Sequence, residues 1–248
     1  VLRSRLIPAL LLDGQRLVKT NRFRQAKYVG DPLNVLRIFN EKEVDEVIIL
    51  DINASTKGLE PNYRLLEELA AECFMPLTYG GGINSLKHAE KIIELGIEKI
   101  CLKSGALRDL ELVKTVSENF GAQAVVVAVD VVKRGNRYKL HQPKKTSRIW
   151  DDWLEFAQSA VSAGAGEILL TAVHMEGVMR GLDTKLIASA SAVLSVPLVA
   201  HGGVGSMKDV EEGLYAGADA IAAGSFFVFH GPYRAVVITY PSSDDWGM

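Results

Sequence analysis

Short apolar runs and amphipathic segments alternate along the whole 248-residue chain. Strand candidates begin near Arg5, Glu46, Pro76, Lys99, Ala122, Glu167, Pro197 and Ala218. Runs such as "VIILDI", "AVVVAVDV" and "EILLTAV" are apolar nearly throughout, as strands covered on both faces are. Helical patterns lie between them. In "NYRLLEELAAECF", Tyr63, Leu66, Leu69 and Ala70 share a face. The segments "SLKHAEKIIELG", "LRDLELVKTVSENFG", "IWDDWLEFAQSAVSAG", "DTKLIASASAVLS" and "SMKDVEEGLYAG" read the same way. Gly96, Gly121, Gly164 and Gly217 fall where helices should stop. Eight strands, each followed by a helix, predict an α/β protein with a single (β/α)8 TIM barrel. The whole chain, 1–248, is then one domain. Residues 131–148 form an excursion after the fifth strand, and 230–248 a strand-like tail where a barrel expects a long last helix.

The chain repeats itself. "GGINS" at Gly81 matches "GGVGS" at Gly202. Gly96 matches Gly217, Ser104 matches Ser225 and Glu46 matches Glu167, each pair 121 residues apart. One offset shared by separate matches predicts a duplicated half-barrel.

Composition narrows the classes. The net charge of −2 lacks the basic excess of a general nucleic-acid binder. No apolar run is long enough to span a bilayer, and the N-terminal stretch lacks a signal peptide's cleavage pattern. A cytoplasmic protein, without membrane or nucleic-acid partners, is the expectation. Cys73 and Cys101 are the two cysteines, too few for a disulfide framework and outside any CxxC pair. They are expected to be inert core thiols. No metal or cofactor is expected.

The repeated motifs suggest phosphate chemistry. "YGGGI" (79–83) and "AHGGVG" (200–205) each end a strand, where residues without side chains let an anion approach backbone N–H groups. "KSGA" (103–106) and "AGSFF" (223–227) end the following strands, where Ser104 and Ser225 offer hydroxyls at helix starts. Barrels often bind phosphate after strands seven and eight. Here the device is present after strands three and four as well, which points to a substrate phosphorylated at both ends. Alternatively, the glycines serve tight turns only. Two pairs with matching hydroxyls favour phosphate.

Catalytic groups of such barrels lie at the carboxyl ends of the strands. Asp51, Asp130 and Glu176 sit there. An acid closing a long apolar run costs desolvation unless it has a task or partners. Asp130 is the favoured general acid/base, whereas Asp51 can equally well hold a loop. His174 and His201 also stand at strand ends, in a spacing that fits no zinc motif. His201 is read as a hydrogen-bond donor to substrate or as a polar rim residue, and Asp183 as a helix N-cap. In the basic excursion, Gly135–Asn136 can turn a hairpin. Lys144 and Lys145 either attract an anion or coat the surface. Trp150 and Trp153 read as packing residues.

With these residues in view, the chain resembles the cyclase subunit of imidazole glycerol phosphate synthase, the HisF family, over nearly all its length. The matching segments are "GDP" (30–32), "LDINAS" (50–55), "GGGI" (80–83), "GAQAVVVAVD" (121–130), "GAGEILLTAV" (164–173), "GLD" (181–183) and "GGVG" (202–205). The resemblance implies a barrel paired with a glutaminase, receiving ammonia along its axis and closing an imidazole ring on a bis-phosphorylated substrate. It makes Asp130 one of two catalytic aspartates. It implies phosphate or substrate contacts at Lys19, Asp51, Gly81, Gly82, Lys103 and Ser104 on one stretch of chain. On the other it implies them at Thr171, Glu176, Gly177, His201, Gly202, Gly203, Gly224 and Ser225. It also places Arg5, Glu46, Lys99 and Glu167 at the family's charged ammonia gate. That implies a HisH-type glutaminase on the amino-terminal face. Charges at strand starts are otherwise often only solvated.

Three departures bear on activity. The family's first strand carries "C-x-D-V-K-x-G", and its catalytic Asp aligns here with Leu11, with Asp13 following as a substitute candidate. The family's "D-x-D-G" after strand six is His174–Met175–Glu176–Gly177, and the Ser before the strand-seven glycines is His201. The tail "HGPYRAVVITYP" is strand-like. A leucine transfers no proton, and general acid/base steps contribute roughly 10²–10⁴-fold. Three readings result. One is a paralogue that supplies ammonia for acetamidino modification of a surface sugar, on a bis-phosphorylated or nucleotide-linked substrate. Another is a genuine histidine-pathway cyclase, with Asp13 or Glu176 covering the missing acid. The third is a non-catalytic barrel that activates a glutaminase and conducts ammonia.

Overall fold

A computed structural model describes residues 4–142 and 150–241. Lys144 and Lys145 lie outside the described residues. Eight parallel strands close a barrel: β1 (Arg5–Asp13), β2 (Val47–Asp51), β3 (Leu77–Gly80), β4 (Lys99–Leu102), β5 (Val125–Arg134), β6 (Glu167–Ala172), β7 (Leu198–His201) and β8 (Ala220–Ala223). Closure is made by β1. It pairs with β2 at Ala9↔Ile48 on one side and with β8 at Arg5↔Ala220 on the other. The fifth strand, expected from Ala122, starts at Val125, because residues 122–124 form a 3-10 turn behind Gly121.

Alternation along each strand separates two cores. Inward-facing Ile7, Ala9, Ile48, Cys101, Val126, Ala128, Leu169 and Val199 fill the barrel. Outward-facing Leu6, Leu10, Leu12, Ile49, Val127, Val129, Ile168 and Leu170 meet the helices. Burial pushes the thiols of Cys73 and Cys101 up, to about 11 and about 12, so both stay protonated.

Among the described residues, seven helices of eight or more residues cover the barrel: α1 (Pro32–Glu41), α2 (Tyr63–Glu72), α3 (Leu86–Glu94), α4 (Glu111–Phe120), α5 (Trp153–Ser162), α6 (Thr184–Ser191) and α7 (Met207–Tyr215). The first was not among the helical patterns read from the sequence. Its signals are nonetheless local: Asp31 accepts the Asn34 N–H, Pro32 opens the helix, and Val35, Leu36 and Phe39 face inward. Trp150 and Trp153 are both buried. Phe156 is fully buried beside them, and cutting such a ring to alanine costs about 3–5 kcal/mol.

After β8 the chain makes only a four-residue helix, Ser225–Val228, and then a two-stranded ribbon, Phe229–His230 with Ala235–Val236. The tail continues across the outside of the barrel. Tyr240 stacks on Phe227 with ring centroids 5.4 Å apart, and its hydroxyl donates to the Leu6 carbonyl at 2.9 Å.

Two antiparallel additions rise over the carboxyl end. Residues Arg16–Asn21 and Arg24–Gly30 continue β1 as a hairpin, with Leu11↔Val18 in register. Residues Arg137–Leu140 fold back on the end of β5 around Gly135–Asn136. Among the described residues no helix is long and apolar enough to cross a membrane.

Candidate active site

The barrel floor carries a closed ring of charge. Arg5 binds Glu46 at 2.5 Å and also binds Glu167, while Lys99 binds Glu46 at 3.0 Å and Glu167 at 3.1 Å. All four side chains come from strand starts and, by alternation with Ile7, Ile48, Cys101 and Leu169, face into the barrel. Thr78 donates its hydroxyl to Glu46 at 2.9 Å. Both glutamates are buried, so their charge is carried by these partners rather than by water.

At the opposite end, strand alternation directs Leu11, Asp130, Thr171, His201 and Gly224 toward the mouth. Asp130 is buried and forms an ion pair with Lys103. Leu11 is buried and apolar. Asp13, two residues further along the same strand, is half-exposed on the rim. Its carboxylate takes a 2.6 Å hydrogen bond from the Asn53 side-chain amide, with Lys57 at 3.9 Å. Asp51 accepts the Asn53 and Ala54 N–H groups at 2.9 Å each, so it holds the loop after β2.

Glu176 is the anchor of the first hairpin. Its carboxylate accepts the Thr20 hydroxyl at 3.0 Å and the Phe23 N–H at 3.1 Å, and its carbonyl accepts the Arg22 N–H at 2.9 Å. Arg22 and Phe23 have φ of 52° and 60°, which side-chain-bearing residues adopt only under restraint. Glu176 supplies that restraint. Gly177 lies beneath the same hairpin, where a Cβ would come within 2.4 Å of the Thr20 carbonyl.

The hairpin carries Lys19 into the barrel mouth. Its ammonium is buried, 3.7 Å from Glu176, and a Cβ at Gly224 would fall 2.0 Å from it. Burial lowers the Lys19 pKa, and Glu176 partly offsets this. His201 is buried alongside, with Nδ1 3.3 Å from the Thr171 hydroxyl. Burial first, and then the Lys19 ammonium, push the His201 imidazole down to about 4.

The glycine-rich turns are dictated first by packing. Gly81 and Gly82 have φ of 130° and 71°, and added Cβ atoms would strike Asp51 and the Leu59 carbonyl at 2.7 Å each. Gly202 and Gly203 would strike the carbonyls of Ala172 and Gly181. Close approach therefore accounts for glycine there whether or not an anion binds. The hydroxyl of Ser225 is different: it is buried and has no hydrogen-bond partner, in the cradle where Lys19 meets Gly224. Ser104 opens the short turn after Lys103, on the other side of the mouth.

Asp183 caps α6 as its place before "TKLIASA" predicted, accepting the Leu186 N–H. Two features of the mouth were not read from the sequence. Asp183 also binds the Tyr138 hydroxyl at 2.8 Å and His174 Nε2 at 2.9 Å. Burial raises the Asp183 carboxyl, but these hydrogen bonds together hold it below its ordinary value. His141 lies next to Asp130, with its ring edge-on to Phe23 at 5.4 Å. The signal for His141 was countable: a turn at Gly135–Asn136 pairs Arg134 with Arg137 and hence Asp130 with His141.

Comparison with known proteins narrows the chemistry. A family model described as histidine biosynthesis protein matches residues 5–233. A Pseudomonas aeruginosa protein provisionally named imidazole glycerol phosphate synthase subunit hisF2 is 47% identical, covering 97% of each chain. A Vibrio vulnificus protein provisionally named subunit hisF3 is 44% identical over 99% of this chain and 95% of its own. The imidazole glycerol phosphate synthase subunit HisF of Exiguobacterium sibiricum is 39% identical over 99% and 96%.

Proposed function

We propose, from the premise that the chain belongs to the histidine biosynthesis protein family as a HisF-type, cyclase-type subunit of imidazole glycerol phosphate synthase, that it works with a HisH-type glutaminase and uses or relays ammonia. The glutaminase docks on the amino-terminal face, below Arg5, Glu46, Lys99 and Glu167, and ammonia enters through their ring. The substrate lies across the mouth, with phosphates seated by the two glycine-and-serine cradles. Lys19 and Ser225 serve one cradle, and Lys103 and Ser104 the other. The protein acts as a paralogue that supplies ammonia for acetamidino modification of a surface sugar.

The observation that carries this reading is a ring of charge intact at the floor below a mouth that has Leu11 on the first strand. An ammonia entry is kept where the chemistry of ring closure has lost an acid. Asp13 is an unpromising replacement, since its carboxylate is turned to Asn53 and Lys57 on the rim. The carboxylate of Glu176 is committed to the first hairpin.

A second reading, a working histidine-pathway cyclase, is favoured by the buried Asp130 and by the similarity to the Exiguobacterium subunit. One experiment separates the two. The purified chain is supplied with ammonium and the bis-phosphorylated ribonucleotide substrate of ring closure. The paralogue reading expects turnover at least a hundredfold below that of the Exiguobacterium subunit, together with a stable complex when a glutaminase is co-expressed. Equal turnover would establish the cyclase, and a free monomer under co-expression would remove the glutaminase.

A further inference from the structure

The mouth contains a second titratable side chain that faces Asp130. The antiparallel pairing at the end of β5 runs Val131↔Leu140, Val132↔Lys139, Lys133↔Tyr138 and Arg134↔Arg137. One step further, His141 stands opposite Asp130, and its N–H donates to the Asp130 carbonyl at 2.7 Å. Directly opposed residues of an antiparallel pair project from the same face of the sheet, with Cβ atoms roughly 4.5–5.5 Å apart. The neighbouring pair confirms the sense: Val131 and Leu140 both enter the outer core. Asp130 and His141 therefore share the inner face.

The surroundings of His141 are those of a reaction site rather than of a packed core. Its Nδ1 is buried and has no hydrogen-bond partner. One side of the ring meets Phe23, the residue that Glu176 holds in a left-handed turn. The Lys103 ammonium lies 5.5 Å from the same Phe23 ring and is paired with Asp130. Lys103 and Arg134 oppose a positive charge on His141, whereas Asp130 favours one.

We propose that His141 is a proton-handling residue of the barrel mouth, acting from the hairpin opposite Asp130 at a site whose first strand offers only Leu11. The assignment rests on the proposed reading of the mouth as the place where substrate binds. It needs no movement of Asp13 from Asn53 and no release of Glu176 from the first hairpin. Burial, then Lys103, lower the His141 imidazole below its ordinary value, so the ring is neutral at neutral pH. One ring nitrogen is then a base and the other an acid, and no protein hydrogen bond commits Nδ1.

The test is imidazole NMR on the full chain, with H141Q used to assign the resonance. His141 is expected to titrate below the ordinary histidine value of about 6.5. Its titration should move to higher pH in K103M and to lower pH in D130N. Titration at the ordinary value, or no response to either change, overturns the proposal. A second arm uses L11D, which restores the first-strand acid, with ammonium and the bis-phosphorylated ribonucleotide. There, H141Q should lower kcat at least tenfold while KM changes less than threefold and the melting temperature holds. Unchanged kcat overturns the proposal. An L11D chain that closes no ring shows that more than this position separates the chain from a cyclase, and the titration arm then decides for or against His141.

Discussion

Lys103 and Asp130 form an ion pair between the ends of adjacent strands, β4 and β5, at the barrel mouth. The carboxylate is almost wholly buried and the ammonium partly open to solvent. Removing one member leaves the other charge poorly compensated. K103M should therefore lower unfolding stability by about 1–3 kcal/mol, less than for a fully buried pair because Lys103 is partly hydrated. The K103M/D130N double variant should lose less than the sum of the two singles, by at least about 0.5 kcal/mol in urea titrations. Simple additivity would show that the pair contributes nothing.

Leu11 is only 4% exposed, on the inward face of β1. L11D should cost about 1–3 kcal/mol of stability through burial of a polar group. Yet it should raise ring closure with free ammonium by about 10²–10⁴-fold, the usual contribution of one acid/base group. A stable L11D protein with no gain in rate would show that more than this position separates the chain from a cyclase.

At the floor, Glu46 is the member of the ring with most partners, taking Arg5, Lys99 and the Thr78 hydroxyl. E46A should cost about 1–3 kcal/mol, since two cations lose their counter-charge but keep some access to water. Chemical denaturation checks this. A change within experimental error would mean that solvent replaces the ring without cost.

His201 makes stability depend on pH in a defined direction. Its folded value is about 4 against an ordinary 6.5, so the unfolded chain binds the proton more readily. The stabilisation is complete above about 6.5 and is lost as pH falls toward about 4. H201Q should flatten the fall of the urea midpoint across that interval. K19M should raise the imidazole value, because the Lys19 ammonium is the second cause of its depression. A histidine resonance that ignores K19M would refute the placement of Lys19.

Tyr240 fastens the tail to the barrel wall. Its hydroxyl donates to the Leu6 carbonyl and lies 3.2 Å from Asp45 Oδ2, between residues that flank Arg5 and Glu46. Y240F should cost about 1–2 kcal/mol. It should also quicken amide exchange at Val237 and Thr239, whose N–H groups bond to Val228 and Phe227.

The barrel was legible in hydrophobic patterning alone. Apolar runs eight times over, helices between them and glycines at the helix stops leave one economical way to bury both faces of each strand. The four floor charges stood out only through the resemblance to the HisF family, since charges at strand starts are otherwise often solvated, and it is the structure that pairs them into a ring. The sequence left the commitments of individual acids undecided, since these depend on which loops fold over the mouth. Only the tertiary structure turned Asp13 toward Asn53, gave Glu176 to the strained Arg22–Phe23 turn and brought Lys103 onto Asp130. Each of these is a long-range hydrogen bond or ion pair between segments that local pattern does not connect. Leu11 belongs to both accounts. Its lack of a proton was legible in one letter, and its place on the mouth's inner face was fixed by the register of β1.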